Sequence, residues 1–394
     1  MAELGIAIYP EKAGEKPTLA YLKKAAQAGF KRVFVNLLET SDDPERLKML
    51  TNLLGAAQNL GLVPIIDVDE HVYKTLNLPP DEINFFRQLG ASGVRMDQDF
   101  GGEVEAKISQ NRLNFKVEIN ASAGVQTLEK ILASGGKPSN LIACHNFYPL
   151  RYTGLKYERF IELSARIKQL GVPVAAFVTQ EPSRRAIGPW GVNQGMPTLE
   201  EHRDWPLVQQ VAHLLSIGLS DQIIVSQQGL TSQEFKMLGQ LVQNWNKLSA
   251  QKVVNVEIEW VSKVSDLEKE IVLARKLPAK LAQPEFKSYA HSFGAYHLNR
   301  PDYSSYFIRS TLTRVLYKSE SIKPARTGKM LQPGDVVVLN DNIGRYKGEV
   351  HILLRPIDDR RSKIRNLVGR VIVDDLYQLQ AIVGGRKFKI YAKN

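Results

Sequence analysis

The sequence contains a single cysteine, Cys144, among its 394 residues. One thiol excludes an internal disulfide framework and a cysteine-based metal site, and it is typical of a reducing compartment. We therefore interpret Cys144 as a small buried hydrophobic residue. No segment approaches about 18 uninterrupted apolar residues, and the start, MAELGIAIYP, lacks a basic region followed by a long apolar run. These absences predict a soluble cytoplasmic protein with no membrane partner.

Several motifs of cofactor chemistry are also missing. The chain has no Walker A loop, no dinucleotide-binding glycine fingerprint after its first apolar run, and no His-Glu-x-x-His pair. Nucleotide and zinc chemistry are therefore disfavoured, and we expect no cofactor and no resident metal. Spacing alone does not exclude magnesium at a cluster of acidic residues.

Positive charge is unevenly distributed along the chain. Residues 1–245 contain 25 Lys and Arg against 26 Asp and Glu, whereas residues 246–394 contain 27 against 15, a net charge of +12. No five like charges are consecutive, and acidic residues are interspersed among the basic ones. This pattern is more typical of a solvated basic surface than of a nucleic-acid site, so we predict no nucleic-acid partner. The sequence leaves open whether the chain forms a homo-oligomer.

The order of apolar and polar segments predicts the fold. Helix-like segments such as 44–61 and 157–171 alternate with short apolar runs, and several of them end in glycine. Strand and helix repeated eight times predict a parallel (β/α)₈ TIM barrel, with an open doubly wound sheet as the alternative. The eight runs are residues 5–9, 32–38, 62–68, 93–96, 115–120, 141–144, 173–178 and 222–226.

The length and a change of pattern near residue 245 predict two domains. We place a catalytic barrel at residues 1–245 and a second domain at residues 246–394. In the second domain, short β-like runs such as DVVVLN and KFKIYA are separated by the turn-forming stretches PGD, NIGR and VGGR. These runs predict a small β-rich barrel.

Functional residues of a TIM barrel lie where each strand meets the loop that follows it. Asp67 and Asp97 come at the ends of the third and fourth apolar runs, and Asp69 and Asp99 follow two residues later. Two carboxyl groups in different environments suit glycoside hydrolysis, one as proton donor and the other as nucleophile or charge stabiliser. Asp69 and Asp99 are the more prone to serve only as helix caps or rim salt bridges. The spacing of these residues alone does not decide whether the chain is an aldolase, an isomerase or a hydrolase.

Other polar and aromatic residues follow the same strand ends or lie in the long connection 179–206, which we interpret as a lid or substrate-gripping loop. Histidine, asparagine and tyrosine offer donors and a stacking surface for a sugar, and arginine pairs hold phosphate or carboxylate. Arg95 has a second interpretation, as a fixed ion-pair partner. Glu118 lies deeper in its strand, and we interpret it as a structural residue. The predicted substrate-binding residues are Tyr9, Arg95, Asn120, His145, Asn146, Tyr148, Arg151, Glu181, Arg184, Arg185 and Arg203.

A set of short motifs resembles the 6-phospho-N-acetylmuramidase family, once catalogued as outer surface proteins. The motifs occur in order along nearly the whole chain, which makes chance similarity improbable. They are GVRMDQDFG (93–101), INAS (119–122), HNFYP (145–149), TGL (153–155), GMPTLEEHR (195–203), LNRPDY (298–303), IRS (308–310) and GRYKGEVHI (344–352).

The resemblance implies a catalytic TIM barrel followed by a cyclophilin-like β-barrel. It also implies cleavage of N-acetylmuramic acid 6-phosphate linked to N-acetylglucosamine in bacterial cell-wall recycling. Asp67 and Asp97 match the aspartates expected in the catalytic roles. The substrate's phosphate and lactyl carboxylate would be bound by Arg184, Arg185 and Arg203.

The chain departs from the family pattern at several rim positions. Leu150 stands where an arginine usually follows HNFYP, and the end of the eighth run reads Ser226, Gln227, Gln228 where aspartate is common. These departures leave two alternatives, a hydrolase of another phosphorylated or acidic glycan and a sugar-phosphate-binding protein that has lost catalysis. A barrel lyase working through a Schiff base is less well supported, because no predicted strand end carries a lysine.

Overall fold

The computed structural model describes residues 1–37, 43–96, 100–181, 185–191, 194–251, 253–274, 296–300, 304–310, 312–382 and 384–392. Asp97, Asp99 and Arg184 lie outside the described residues. The chain divides into two compact units, Met1–Asn244 and Trp245–Asn394.

The first unit is built around a closed barrel of eight parallel strands in sequential order. The barrel prediction is confirmed and the open-sheet alternative is wrong, because the first strand pairs with the eighth through Glu3–Gln222 to Ile6–Val225. Seven strands lie inside their predicted runs, and β1 begins two residues before its own. The strands are β1 Glu3–Ile8, β2 Arg32–Asn36, β3 Val63–Val68, β4 Gly93–Met96, β5 Lys116–Asn120, β6 Leu141–Cys144, β7 Val174–Val178 and β8 Gln222–Val225.

Helices connect the barrel strands and follow the last of them. Asp43 caps one helix by accepting hydrogen bonds from two amides of its first turn, and Pro44 occupies the first helical position. Gly61 and Gly171 follow two of the helices with φ of 74° and 77°, as the glycine pattern predicts. The helices are α1 Pro10–Ala13, α2 Glu15–Gln27, α3 Pro44–Asn59, α4 Glu70–Thr75, α5 Asn84–Gln88, α6 Glu103–Ser109, α7 Gln126–Ala133, α8 Tyr157–Gln169, α9 Leu207–Ile217 and α10 Ser232–Ala250, with 3₁₀ turns at Pro138–Asn140 and Glu200–Asp204.

The interior of the barrel is a packed core. Its apolar part is formed by alternate strand residues, namely Ala7, Tyr9, Phe34, Ile142, Cys144, Ala175, Phe177 and Ile224. Cys144 is fully buried, as predicted. A Cβ at Gly5 would lie 2.8 Å from the Cβ of Arg32, so the absence of a side chain at Gly5 leaves the room in which Arg32 enters the barrel.

The second unit contains a barrel-like sheet of seven strands, in the order β10-β17-β9-β16-β13-β14-β11. A bridge between Asn299 and Ser310 joins its two ends. Valine and isoleucine side chains from the strands fill its interior. The strands are β9 Val253–Trp260, β10 His297–Leu298, β11 Phe307–Ser310, β12 Met330–Leu331, β13 Asp335–Leu339, β14 Val350–Leu353, β15 Ile357–Asp358, β16 Arg365–Val371 and β17 Lys387–Ala392; the helices are α11 Asp266–Leu273 and α12 Leu312–Leu316, with 3₁₀ turns at Asp341–Tyr346 and Val373–Ala381.

This confirms a β-rich second barrel, whereas its cyclophilin-like character stays a prediction. Among the described helices of the whole chain, none combines the length and the apolar character needed to cross a membrane.

Candidate functional site

Four charged side chains from neighbouring strands form a network inside the first barrel. Arg95 on β4 donates to the Asp67 carboxylate on β3 at 2.7 Å, and its Nε lies 3.6 Å from Glu118 on β5. Glu118 in turn accepts a hydrogen bond of 2.5 Å from Arg32 on β2. The pairings β2–β3, β3–β4 and β4–β5 place these residues on adjacent strands.

Burial makes this network energetically demanding. Arg32 is 1% exposed and Glu118 is fully buried, so each charge has lost its water and depends on an opposite charge nearby. Two guanidinium groups against two carboxylates leave the network neutral. Asp67 is 6% exposed and comes one residue before the end of its strand, so it is the carboxylate nearest the mouth. The second interpretation of Arg95, a fixed ion-pair partner, describes these contacts.

A chain of hydrogen bonds extends the network to the loop after β6. Arg95 also donates to the side-chain oxygen of Asn146, whose own amide donates to Ser122 Oγ at 2.9 Å. The Asn120 side chain accepts from the Ser122 amide at 2.8 Å. The structure therefore brings together four predicted site residues, because Asp67, Arg95, Asn120 and Asn146 are linked through these contacts.

His145 contacts this group through Ser122, whose Oγ lies 3.4 Å from Nδ1 of the His145 ring. Its ring is fully buried against Phe160 on α8, and Nε2 lies 2.9 Å from Ser164 Oγ on the same helix. Burial lowers the pKa of His145 to about 3, so the ring is neutral at ordinary pH. These contacts fix the start of the loop after β6, because the ring packs on a barrel helix, and the predicted substrate contact of His145 stays a prediction.

Aromatic side chains line the mouth beside the β6 and β7 ends. Phe147 packs edge-on against Phe34 and Phe177, with ring centroids 6.2 and 5.1 Å away, and Trp190 lies 6.1 Å from Phe147. Trp190 is 46% exposed. Sequence reasoning did not select Phe147 or Trp190, although Phe147 lies inside the HNFYP motif. A partly exposed aromatic surface beside carboxylate and amide groups suits a sugar ring.

The β1 and β8 side of the mouth is closed by internal hydrogen bonds. Tyr9, predicted to bind substrate, is 1% exposed and donates its hydroxyl to the Ser226 carbonyl at 2.7 Å. Burial raises the pKa of this hydroxyl. Gln228 accepts from the Tyr9 amide at 2.8 Å, and Gln227 accepts from the Thr179 hydroxyl at 2.8 Å. The glutamines at the family's aspartate position therefore join strand ends together.

Arg203 acts as a structural clamp, and its predicted phosphate-binding role stays a prediction. Its side chain is 1% exposed and forms a forked ion pair with Glu200 at 2.6 and 2.7 Å. The remaining N–H groups donate at 2.8–3.1 Å to backbone carbonyls of two separate loops, those of Tyr148, Leu150, Gln194 and Gly195. A guanidinium has five N–H donors, and these contacts occupy all of them.

The long connection 179–206, which the sequence predicts to be a lid or substrate-gripping loop, makes further contacts with neighbouring segments. Residues 195–199 are buried, and the Leu199 segment bridges to Leu155. Lys12 donates to the carbonyls of Gly188 and Pro189. The described parts of the connection are thus tied to neighbouring segments, and their role as a lid or substrate-gripping loop stays a prediction.

The remaining predicted residues lie farther out. Arg151 is bound to Asp204 by two hydrogen bonds of 2.6 and 2.9 Å, and this pairing raises its pKa. Tyr148 is partly buried and its carbonyl is held by the clamp, whereas Glu181 and Arg185 are exposed. Asp69 accepts a hydrogen bond from the Val72 amide at 3.0 Å and caps α4, as its structural interpretation expects.

Among the described residues no group of three or more His, Cys, Asp or Glu could hold a metal ion.

We expect Arg203→Lys to lower the free energy of unfolding by about 2–3 kcal/mol, because one ammonium cannot reach Glu200 and four carbonyls at once. Urea titration measures the change. Arg166→Lys is the matched control, since Arg166 pairs with Glu129 at 2.9 Å while about half exposed, and its loss should stay below about 1 kcal/mol. Equal losses in the two variants would contradict the clamp.

Comparison with known proteins agrees with the fold and the motifs. The family model "6-phospho-N-acetylmuramidase, N-terminal" matches residues 4–240, and "6-phospho-N-acetylmuramidase, C-terminal" matches residues 275–391. An uncharacterized B. cereus protein of known structure is 31% identical, covers 99% of this chain and 100% of its own, and has a TM-score of 0.71.

A conserved Enterococcus faecalis protein with an unknown function shows a similar fold. It is 24% identical over 100% of this chain and 97% of its own, with a TM-score of 0.60. No curated protein matches. The resemblance inferred from the motifs is confirmed by the two family models: the chain belongs to the 6-phospho-N-acetylmuramidase family.

Proposed function

We propose that this chain is a glycoside hydrolase that cleaves N-acetylmuramic acid 6-phosphate from N-acetylglucosamine, in the cytoplasm, as a step of cell-wall recycling. The observation that carries the proposal is the Asp67 carboxylate, held by Arg95 at 2.7 Å close to the barrel mouth and 6% exposed. Glycoside hydrolysis needs a fixed carboxylate beside a bound sugar. The aromatic surface of Phe147 and Trp190 supplies a place for the sugar ring.

The ion pair with Arg95 supports an anionic role for Asp67. A guanidinium at hydrogen-bond distance favours the charged form of a carboxylate. We therefore assign Asp67 the anionic role, in which it attacks the anomeric carbon, stabilises its positive charge, or orients the substrate's acetamido group. The proton donor is then a second carboxyl group, and Asp97, two residues beyond Arg95, remains our candidate.

The phosphate and the lactyl carboxylate of the substrate need cationic or N–H partners. Arg203 donates its N–H groups to internal acceptors and Arg151 forms an exposed ion pair with Asp204, so we place both behind Arg185 as candidates. Arg185 is exposed and forms no ion pair with a described residue. We assign Arg185, together with Arg184, to the anionic groups of the substrate.

A sugar-phosphate-binding protein without turnover is the second candidate. One observation favours it: Gln227 and Gln228 serve as internal hydrogen-bond acceptors where family members commonly have an acidic residue. A site that lacks one carboxylate can retain affinity while losing chemistry. The same observation fits a hydrolase of a different phosphorylated or acidic glycan.

The decisive experiment incubates the purified chain with the muramic acid 6-phosphate disaccharide and with its unphosphorylated counterpart. Mass spectrometry follows the release of N-acetylglucosamine, and calorimetry follows binding. We expect release from the phosphorylated disaccharide alone. Binding without release would favour the second candidate, equal cleavage of both sugars would refute phosphate recognition, and neither binding nor release would refute this substrate.

A further inference from the structure

Three arginines of the second unit pair with two buried carboxylates. Glu349 is fully buried and lies 3.1 Å from Arg314 Nη1, 3.4 Å from Arg309 Nη2 and 2.9 Å from His351 Nε2. The third arginine, Arg365, pairs at 2.7 Å with Asp359, which is 1% exposed. We call Arg309, Arg314 and Arg365 the arginine cluster.

The sheet places these residues together. Arg309 on β11 lies directly opposite His351 on β14, and Arg365 on β16 lies opposite Leu339, which neighbours the Glu349 strand end. Alternate residues of the same strands, including Ile308, fill the barrel interior. The cluster therefore occupies the opposite face of the sheet from the core.

The hydrogen-bonding capacity of the cluster is largely unused. Three guanidinium groups offer 15 N–H donors by their chemistry, and within the described residues each makes one side-chain hydrogen bond, to Glu349 or Asp359. Arg309 Nε and Arg365 Nε are buried and have no acceptor among the described residues. Arg203 in the first unit shows the opposite pattern, since internal acceptors use all of its donors.

His351 adds an unused acceptor to the cluster. Its Nε2 faces the Glu349 carboxylate at 2.9 Å, and Nδ1 is buried with no partner among the described residues. Burial lowers the pKa of His351 although Glu349 raises it, so the ring is neutral, with Nε2–H donating to Glu349 and the Nδ1 lone pair bare. A hydroxyl group of a bound molecule would satisfy Nδ1.

The cluster is partly open to solvent and flanked by aromatic rings. Arg309 and Arg314 side chains are each 22% exposed, and Arg365 is 16% exposed. Arg314 lies 5.2 Å over the ring of Tyr346, and Arg365 lies 5.5 Å over that of Phe307. Stacking holds the guanidinium planes in place, which prepares them for a ligand.

We propose that the arginine cluster binds the phosphate or carboxylate group of a small hydroxylated molecule. Three guanidinium groups against two carboxylates leave one excess positive charge, and planar guanidinium groups suit oxyanions. The three arginine side chains are only 16–22% exposed, and this favours a compact ligand over a nucleic-acid strand, which stacks on exposed aromatic surfaces along an extended groove. This proposal does not rest on hydrolase activity.

The test is isothermal titration of the full chain with inorganic phosphate and with glucose 6-phosphate at constant ionic strength. We expect both to bind, and Arg314→Gln to weaken both by about tenfold or more, because a charge-assisted hydrogen bond is lost. Glu349→Gln should act in the opposite direction and tighten binding, since an internal competitor for the arginines is removed. Arg360→Gln is the matched control, because Arg360 pairs with Asp358 in the same unit outside the cluster.

Several results would overturn the proposal. One is the absence of any binding by the unmodified chain, and another is an equal effect of Arg314→Gln and Arg360→Gln, which would indicate general electrostatics. A single-stranded oligonucleotide that binds through Arg314 more tightly than both probes would point to nucleic acid. If Arg314→Gln fails to fold, Arg309→Gln decides the question, because Arg309 is equally exposed and lies 3.4 Å from Glu349, and unchanged binding there refutes the site.

Discussion

Asp67→Asn should reduce kcat for the muramic acid 6-phosphate disaccharide by about 10³-fold in a chain that still folds, at a lower free energy of unfolding because Arg95 loses a compensating charge. The substituted amide can still accept the hydrogen bond that Arg95 donates at 2.7 Å, so the side chain keeps its position. What disappears is the negative charge that the proposed mechanism needs at the anomeric carbon. Release of N-acetylglucosamine under saturating substrate measures kcat, and circular dichroism verifies folding.

Asp69→Asn provides a matched control two residues away. Asp69 caps α4 through the Val72 amide, and asparagine caps helices about as well as aspartate. We expect turnover close to that of the unmodified chain. If Asp67→Asn kept more than a tenth of the turnover, or if Asp69→Asn lost as much, the assignment of Asp67 would be wrong.

The barrel could be predicted because its strands are continuous apolar runs. Strands buried on both faces read in this way, and the predicted runs 93–96 and 141–144 coincide with β4 and β6. The strand ends then located Asp67 and Asn146. Arg32 was missed because a charge at the start of a strand usually marks the surface, whereas this one enters the barrel beside Gly5.

The direction of side chains was harder to predict than their position along the chain. Cys144 faces the barrel interior, so the next residue, His145, faces α8. Successive side chains of a strand point to opposite faces, and this alternation predicts the direction of His145. The prediction can be made only once it is known which residues of the strand face the barrel interior. The clamp role of Arg203 was equally difficult to predict from the sequence. Four of its partners are backbone carbonyls, and every residue has a backbone carbonyl, so the sequence does not indicate which ones it contacts. Its i,i−3 spacing to Glu200 was the one signal in the sequence.

The second large effect concerns the buried pair of Arg32 and Glu118. Glu118→Gln should lower the free energy of unfolding by about 3–5 kcal/mol, because it leaves the guanidinium of Arg32 buried without a compensating charge. The pair lies 2.5 Å apart, and both side chains are at most 1% exposed. Urea titration monitored by circular dichroism measures the loss. Glu129→Gln is the matched control, since it breaks a glutamate–arginine pair that is 40% and 52% exposed, and should cost below about 1 kcal/mol.

A double variant separates the cost of an unpaired charge from the value of the pair. Replacing a buried ion pair by apolar residues of similar volume is often neutral, so Arg32→Met combined with Glu118→Leu should recover most of the stability that Glu118→Gln loses. If the double variant is less stable than Glu118→Gln, the ion pair itself stabilises the barrel. Its contribution would then include the contact of Arg32 with Gln222 and that of Glu118 with Arg95. Recovery would mean that Arg32 and Glu118 need one another more than the barrel needs either of them.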